Sequence, residues 1–364
     1  KGLFKYLPPT GFVSLCSDNL PTPTIPDPGK HFRALLYQGN TDQVRPVVGA
    51  GFAPDFVWQK DRVAANWHRL TDSVRGNYTL YSNATTVEAL AESNGHICSL
   101  DSDGFTADRG SGPGDATNGS GKYVGWCWKA GGPAVPNTKG DITSQVSVNQ
   151  TAGFSIVSYT GNGGATGTTV GHGLSKAPSF IIMKNRDATF GWPIYHKSQS
   201  NIGNSAADVV YLNSTAPGNS DNIRDVNDDT MGLLNWGGTN GNGNKFIAYC
   251  WTEIEGYSRF GSYLGNSNSD GAFVYCGFRP AWVLIKNIDA SGEWCIWDSS
   301  RSPYNEMQDA LRPNDNAIET DGFQFDFYSN GFKARDTESS VNLEGDKYIY
   351  AAFAESPFQT ANAK

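Results

Sequence analysis

The sequence predicts an all-β protein built from three tandem antiparallel β-sandwich-like repeats, and three observations carry that prediction. The first is composition: 42 Gly and 18 Pro stand beside only 18% charged residues among 364. Surface helices draw on Glu, Lys, Ala and Leu, whereas a chain rich in Asn, Gly, Ser and Thr supplies turns. The second is apolar content, 38% hydrophobic and 12% aromatic, enough for more than one packed core in a chain long enough for two or three domains. The third is a segment order that recurs three times.

Each recurrence opens on a strand and a Gly-Asn turn, and then gives a Pro-initiated apolar strand that ends on a basic residue. The opening reads Leu35-Leu36-Tyr37-Gln38-Gly39-Asn40, Ile156-Val157-Ser158-Tyr159-Thr160-Gly161-Asn162 and Gly261-Ser262-Tyr263-Leu264-Gly265-Asn266. The second anchor runs from Pro54 to Lys60, from Pro178 to Lys184 and from Pro280 to Lys286. Proline at the start of a strand forfeits no ladder donor. A polar turn and an aromatic strand follow, at Asn66-Trp67-His68, Gly191-Trp192-Pro193-Ile194-Tyr195 and Glu293-Trp294-Cys295-Ile296-Trp297. Each copy closes on a matching strand: Lys122 to Trp128, Lys245 to Trp251 and Lys347 to Phe353. In the first of these, Tyr123, Gly125 and Cys127 fall on one face and Val124, Trp126 and Trp128 on the other. Apolar residues on both faces predict a central strand covered on both sides. Asp103-Gly104-Phe105, Asp321-Gly322-Phe323 and Asn330-Gly331-Phe332 mark turn-to-strand junctions.

These anchors divide the chain into a proline-rich lead-in (1–30), repeat 1 (31–132), a linker with a short strand (133–151), repeat 2 (152–256), repeat 3 (257–358) and a tail (359–364). The short segment from Glu253 to Tyr257 predicts rigid docking of the last two repeats. Single helical turns are expected only over Thr86 to Glu92 and Asn305 to Leu311.

A net charge of −8 without any Lys/Arg cluster excludes nucleic acid as a partner. No apolar run approaches the roughly 20 residues of a membrane helix, so membrane insertion is not expected. The opening Lys1-Gly2-Leu3-Phe4-Lys5 has neither an initiator Met nor a signal-type stretch, and reads as a piece of a longer chain. Six cysteines lack CxxC spacing, and three sit inside aromatic strands; they read as buried free thiols of a protein that folds in a reducing cytoplasm.

No catalytic, metal or cofactor set emerges. The five histidines show no HxH, HxxxH or HExxH spacing, and His172 and His196 read as turn or sheet residues. There is no Gly-x-Ser-x-Gly elbow, and Gly161-Asn162-Gly163-Gly164 opens no helix. Glu253 and Glu255 share one strand face at a spacing near that of a glycosidase pair, although a solvated edge is the plainer reading. Asp225, Asp228 and Asp229, and Asp101 with Asp103, leave a calcium loop incomplete. Aromatics are the remaining resource: Trp67, Trp192, Trp236 and Trp294, with Trp297, flank polar turns where rings could stack on sugar faces, against the alternative of core filling.

The segment from Pro8 to Cys16 followed by Asn19 to Ile25 resembles one found in large virion proteins of marine bacteriophages, where it follows a SPRY-like or concanavalin-like sandwich. Thr151 to Val157, Val170 to Leu174, Glu253 to Ser258, Gly277 to Ala281 and Tyr348 to Glu355 match the same family, so the resemblance spans essentially the whole chain. It implies a non-enzymatic structural component on the virion surface, of tail-fibre or spike type, that is made in the host cytoplasm and contributes to host attachment. It brings no catalytic residues. Analogy with fibres implies a homotrimer, other virion proteins as partners and a host-surface glycan as target. The alternatives are a capsid decoration fibre, a carbohydrate-binding module, and a glycan depolymerase using Glu253 and Glu255.

Overall fold

The computed structural model describes residues 9, 19, 22–112, 116–199, 209–218 and 222–361. Most of the proline-rich lead-in, with Cys16 and most of the Pro8 to Ile25 motif, lies outside them. A 3-10 turn at Pro28–Lys30 precedes nine strands: β1 (Phe32–Gln38), β2 (Val44–Val48), β3 (Phe56–Asp61), β4 (Arg69–Asp72), β5 (Gly76–Leu80), β6 (Ala89–Leu90), β7 (His96–Asp101), β8 (Gly104–Asp108) and β9 (Lys122–Trp128). Next come β10 (Val135–Asn137) and β11 (Ser144–Asn149), then β12 (Phe154–Thr160), β13 (Thr168–Gly171), β14 (Phe180–Asn185), β15 (Ile194–His196), β16 (Ile223–Arg224), β17 (Thr230–Leu233), the single turn α1 (Gly237–Asn240) and β18 (Lys245–Trp251). The last set is β19 (Ser258–Leu264), β20 (Phe273–Tyr275), β21 (Phe278–Asn287), β22 (Cys295–Asp298), β23 (Phe325–Tyr328), β24 (Gly331–Ala334) and β25 (Lys347–Pro357).

The protein is all-β, and one sheet pair is built three times. The larger sheets contain β1-β9-β3-β4, β12-β18-β14-β15 and β19-β25-β21-β22 in the same order, and the smaller ones run β2-β8-β7, β13-β17-β16 and β20-β24-β23. Among the described residues the named strands pair antiparallel throughout, with one isolated parallel bridge between Ile142 and Val170. The segment read as a linker is more than that: β10 and β11 form a hairpin that extends the second large sheet through β12. Neither expected helical turn forms; Ala89–Leu90 is a strand, and Met307 and Ala310 make strand bridges, so tertiary pairing overrides weak local propensity there.

The recurring Tyr-x-Gly-Asn has a physical reason. Tyr37, Tyr159 and Tyr263 stack on Tyr123, Phe246 and Tyr348, each at 5.0 Å between centroids. Their hydroxyls donate to the carbonyls of Thr117, Thr239 and Val341. The next residue in each case is an asparagine, and it pairs reciprocally with the motif asparagine: the amide of Asn118 with Asn40, of Asn240 with Asn162, and of Asn342 with Asn266. The glycine lets these loops meet, since a Cβ at Gly39 would lie 1.8 Å from the Gly119 carbonyl oxygen.

The two apolar faces of each closing strand serve two cores. Tyr123 and Cys127 pack into the first sandwich, and Phe246, Ala248 and Cys250 into the second. Val124, Trp126 and Trp128 face a common core with Ile247, Tyr249 and Trp251 and with Ile349, Ala351 and Phe353. At its centre the last aromatic of each closing strand meets the other two: Trp128, Trp251 and Phe353 form a triangle with centroid separations of 6.1, 6.2 and 5.6 Å. Three sandwiches therefore turn their large sheets inward about a pseudo-three-fold axis, with the small sheets outside.

Each seam repeats a set of contacts. The backbone N–H of Glu88, Gly218 and Glu319 donates to the carbonyl of Arg186, Ile288 and Arg62 respectively, so copy 1 joins copy 2, copy 2 joins copy 3, and copy 3 returns to copy 1. Lys60, Lys184 and Lys286 are fully buried at equivalent places, each capping the turn that follows it through the carbonyl of Asp61, Asn185 or Asn287. Lys184 and Lys286 reach across to Thr85 and Thr215. Burial pushes all three ammonium groups down to about 8.

Candidate binding cleft

The tryptophans named as sugar platforms mostly serve the seams. Trp192 and Trp294 are buried, and their indole N–H groups donate to the Tyr81 and Tyr211 carbonyls of the preceding copy. Neither has a face left for a ligand, and Trp297 is likewise buried with its N–H on the Phe323 carbonyl. Polar flanks misled here because the polar turn is itself the seam. Trp236 is partly covered by Phe190 and Tyr211. Trp67 is 41% exposed and stands edge-on to Tyr81.

Four of the five histidines and four of the five described cysteines are buried. His68, His172 and His196 are buried, and in each Nδ1 accepts an N–H while Nε2 faces a carbonyl. That fixes one tautomer, with the proton on Nε2. Burial holds all three well toward the neutral form. Cys98, Cys127, Cys250, Cys276 and Cys295 are free, and burial raises their thiols. No cluster of metal-ligating groups occurs among the described residues. Asp101 accepts the Ser99 and Thr106 hydroxyls, and Asp103 the N–H groups of Gly49 and Gly51, as loop braces. Asp228 accepts the Ala177 N–H, and Asp229 pairs with Lys139 on the surface.

Glu253 and Glu255 do not share a strand face: β18 ends at Trp251, and both lie in the turn region beyond it. Glu253 is clamped, with one carboxylate oxygen 2.5 Å from Lys197 Nζ and the other 2.7 Å from Arg259. A carboxylate with both oxygens engaged by cations is poorly placed to activate a water or attack a sugar.

That clamp forms part of a cleft at the seam of copies 2 and 3. A cavity of about 420 Å³ is lined by Pro23, Lys176, Glu253, Glu255, Arg259 and Tyr275, among others. A second, of about 400 Å³, runs on past Arg259 and Tyr275 to Lys197, Ser262, Phe273 and Tyr350. Along its side stand Phe273 and Tyr275, 47% and 57% exposed, with Tyr328 edge-on to Phe273 at 5.9 Å. Both project from β20, whose buried Val274 faces Phe332. In the other copies the equivalent register sets Val47 opposite Phe105 and Val170 opposite Met231. The flanking residues there are Pro46 and Val48, and Thr169 and Gly171, none of them aromatic. Sequence reading missed Phe273 and Tyr275 because nothing in their local pattern distinguishes them from core aromatics.

Comparison with known families assigns residues 27–357 to one described as Domain of unknown function (DUF7483). The chain belongs to the DUF7483 family. No curated protein and no solved structure matches it. In this DUF7483 chain the matched range takes in all three sheet pairs and most of the lining of the cleft between the second and third, with Pro23 just outside it.

Proposed function

We propose that this chain is a non-catalytic structural component exposed on a phage virion, of tail-fibre or spike type, which contributes to attachment at the host surface. The virion placement rests on the motif resemblance. The observation that favours attachment is the uneven dressing of an otherwise repeated scaffold: among the described residues, the outer sheet of one copy alone carries exposed aromatics beside a charged cleft. A rigid closed scaffold with one differentiated face suits recognition better than turnover. The clamped Glu253 speaks against the depolymerase alternative. The three-fold arrangement expected of a homotrimer is supplied within one chain, so we read the particle-bound unit as a single chain joined to other virion proteins.

Mass spectrometry of purified particles, with antibody labelling in electron micrographs, tests the placement. Label on the tail or its fibres is the expected result, label on the capsid favours the decoration-fibre alternative, and absence from particles overturns the reading. Light scattering that returns three chains per particle of free protein overturns the single-chain unit.

A further inference from the structure

We infer that the cleft between copies 2 and 3 is a binding site for a neutral saccharide chain, an inference that deepens the attachment reading and rests on it. A pyranose presents an apolar C–H face and a rim of hydroxyls, and a site for it offers an aromatic plane beside fixed donors and acceptors. Tyr275 supplies the plane at the junction of the two cavities, and Phe273, braced by Tyr328, continues it along the second. The two cavities together are long enough for more than one sugar unit, since each alone approaches the volume of a small-ligand pocket.

The polar side is fixed in place before any ligand arrives. Lys197 and Arg259 are held by Glu253, so their remaining N–H groups are oriented without the ordering cost of free side chains. Ser262 adds a hydroxyl in the same groove. Charge selects the ligand class. Two cations already share the Glu253 carboxylate, and Lys176 is matched by Glu255 on the same wall. The lining thus carries three cations against two carboxylates, an excess of one positive charge, which gives hydroxyl groups both donors and acceptors with too little net charge to favour an acidic polymer.

The test uses the full chain with neutral oligosaccharides derived from dextran, mannan and galactan, and with carboxylated alginate oligosaccharides, by titration calorimetry. At least one neutral series should bind at millimolar or tighter. Tyr275→Ala should weaken binding about tenfold or more, and Phe273→Ala should weaken it as well. Tyr275→Phe keeps the plane and should bind as the parent does, and Trp67→Ala, an exposed ring elsewhere, should change nothing. Unfolding midpoints of the variants separate loss of the site from loss of the fold. No binding to any neutral series at millimolar concentration, binding to alginate alone, or unchanged binding by Tyr275→Ala would each overturn the inference. A chain found on particles that binds no neutral saccharide sinks the cleft and spares the virion reading; a chain that binds but is absent from particles does the reverse.

Discussion

The three seams share one geometry but not one chemistry. Between copies 1 and 2, Arg186 meets Glu88 through two bonds of 2.8 Å, and Asp72, ion-paired to Arg75 with both side chains fully buried, accepts the hydroxyl of Tyr249. Between copies 3 and 1 the same set returns: Arg62 on Glu319, and Asp298 with Arg301 accepting the indole of Trp126. Between copies 2 and 3 the equivalent places hold Ile288 and Gly218, and His196 in place of the aspartate, whose Nε2 donates to the Tyr350 carbonyl. Neutral at those buried places, although Arg259 pairs with Glu253 across its partly exposed rim, this seam is also the one bridged by the shortest connection, from Trp251 to Ser258. Short tethering raises the effective concentration of the two faces, so fewer directional charges are needed to hold register there. That seam borders the cleft, on which function is proposed to act.

The widest separation between the two kinds of seam is expected from Asp298→Asn. It removes the nearer counter-charge of the fully buried Arg301 and leaves it Glu319 at 2.8 Å, so the loss should fall at the lower end of the about 3–5 kcal/mol that breaking a buried pair costs. Asp72→Asn should lose a similar amount, whereas His196→Asn at the neutral seam should lose about 1–3 kcal/mol, the cost of unpaired neutral groups. Urea unfolding followed by tryptophan fluorescence measures all three. Equal losses would mean that the charges do not distinguish the seams.

Acid should find the neutral seam through His196. Burial lowers its pKa to about 3 from 6.5, with Lys197 and Lys347 adding to the effect of desolvation. Its stabilising contribution is complete above pH 6.5 and is lost as pH falls toward 3, because the unfolded chain then binds the proton that the folded one refuses. The slope in that window is about 1.4 kcal/mol per pH unit for one group. Nδ1 cannot take a proton without facing the Ser198 N–H that it now accepts. His196→Gln should therefore flatten the difference in unfolding free energy between pH 6.5 and 5; an unchanged slope would remove His196 from the account. His68, at the seam of copies 3 and 1, shifts in the same direction and should leave a residual slope.

These contacts also mark where sequence reading stops. The repeats were legible because Tyr37, Gly39 and Asn40 recur at fixed short spacing, and the closing strands because their alternation is local. The partners of those motifs were not: Asn118 lies 78 residues from Asn40 with only Thr and Gly beside it. Arg62 and Glu319 are 257 residues apart, beyond any periodicity. The two apolar faces of Lys122 to Trp128 correctly announced a doubly covered strand, yet alternation cannot say that one cover is a neighbouring copy. The same ambiguity turned Trp192 and Trp294 into surface candidates, since a polar turn packed into a seam reads like one in water.

Trp294 carries a smaller test of the neutral seam. Trp294→Phe removes the donor to the Tyr211 carbonyl and should cost about 1–3 kcal/mol. Trp192→Phe removes an indole that serves both Tyr81 and Ala84 and should cost no less. If Trp294→Phe were the more damaging, the neutral seam would depend on that bond more than its tethering requires.

The smallest expected effect sharpens the symmetry of the charged seams. Arg186→Lys keeps the charge but replaces a planar fork by a point donor, so one of the two bonds to Glu88 is lost. The side chains are only partly screened, at 12% and 9% exposure, and the loss should be about 1 kcal/mol. Arg62→Lys should match it through Glu319 if the two seams are energetically equivalent. Both carboxylates also face a buried second arginine, Glu319 meeting Arg301 at 2.8 Å and Glu88 meeting Arg75 at 3.6 Å, so Glu319 is the more closely compensated after Arg62 is weakened. A smaller loss for Arg62→Lys than for Arg186→Lys, measured in the same urea titrations, would show that the seam closing the triangle is the more heavily cross-braced of the two, as expected where no covalent connection holds copies 3 and 1 together.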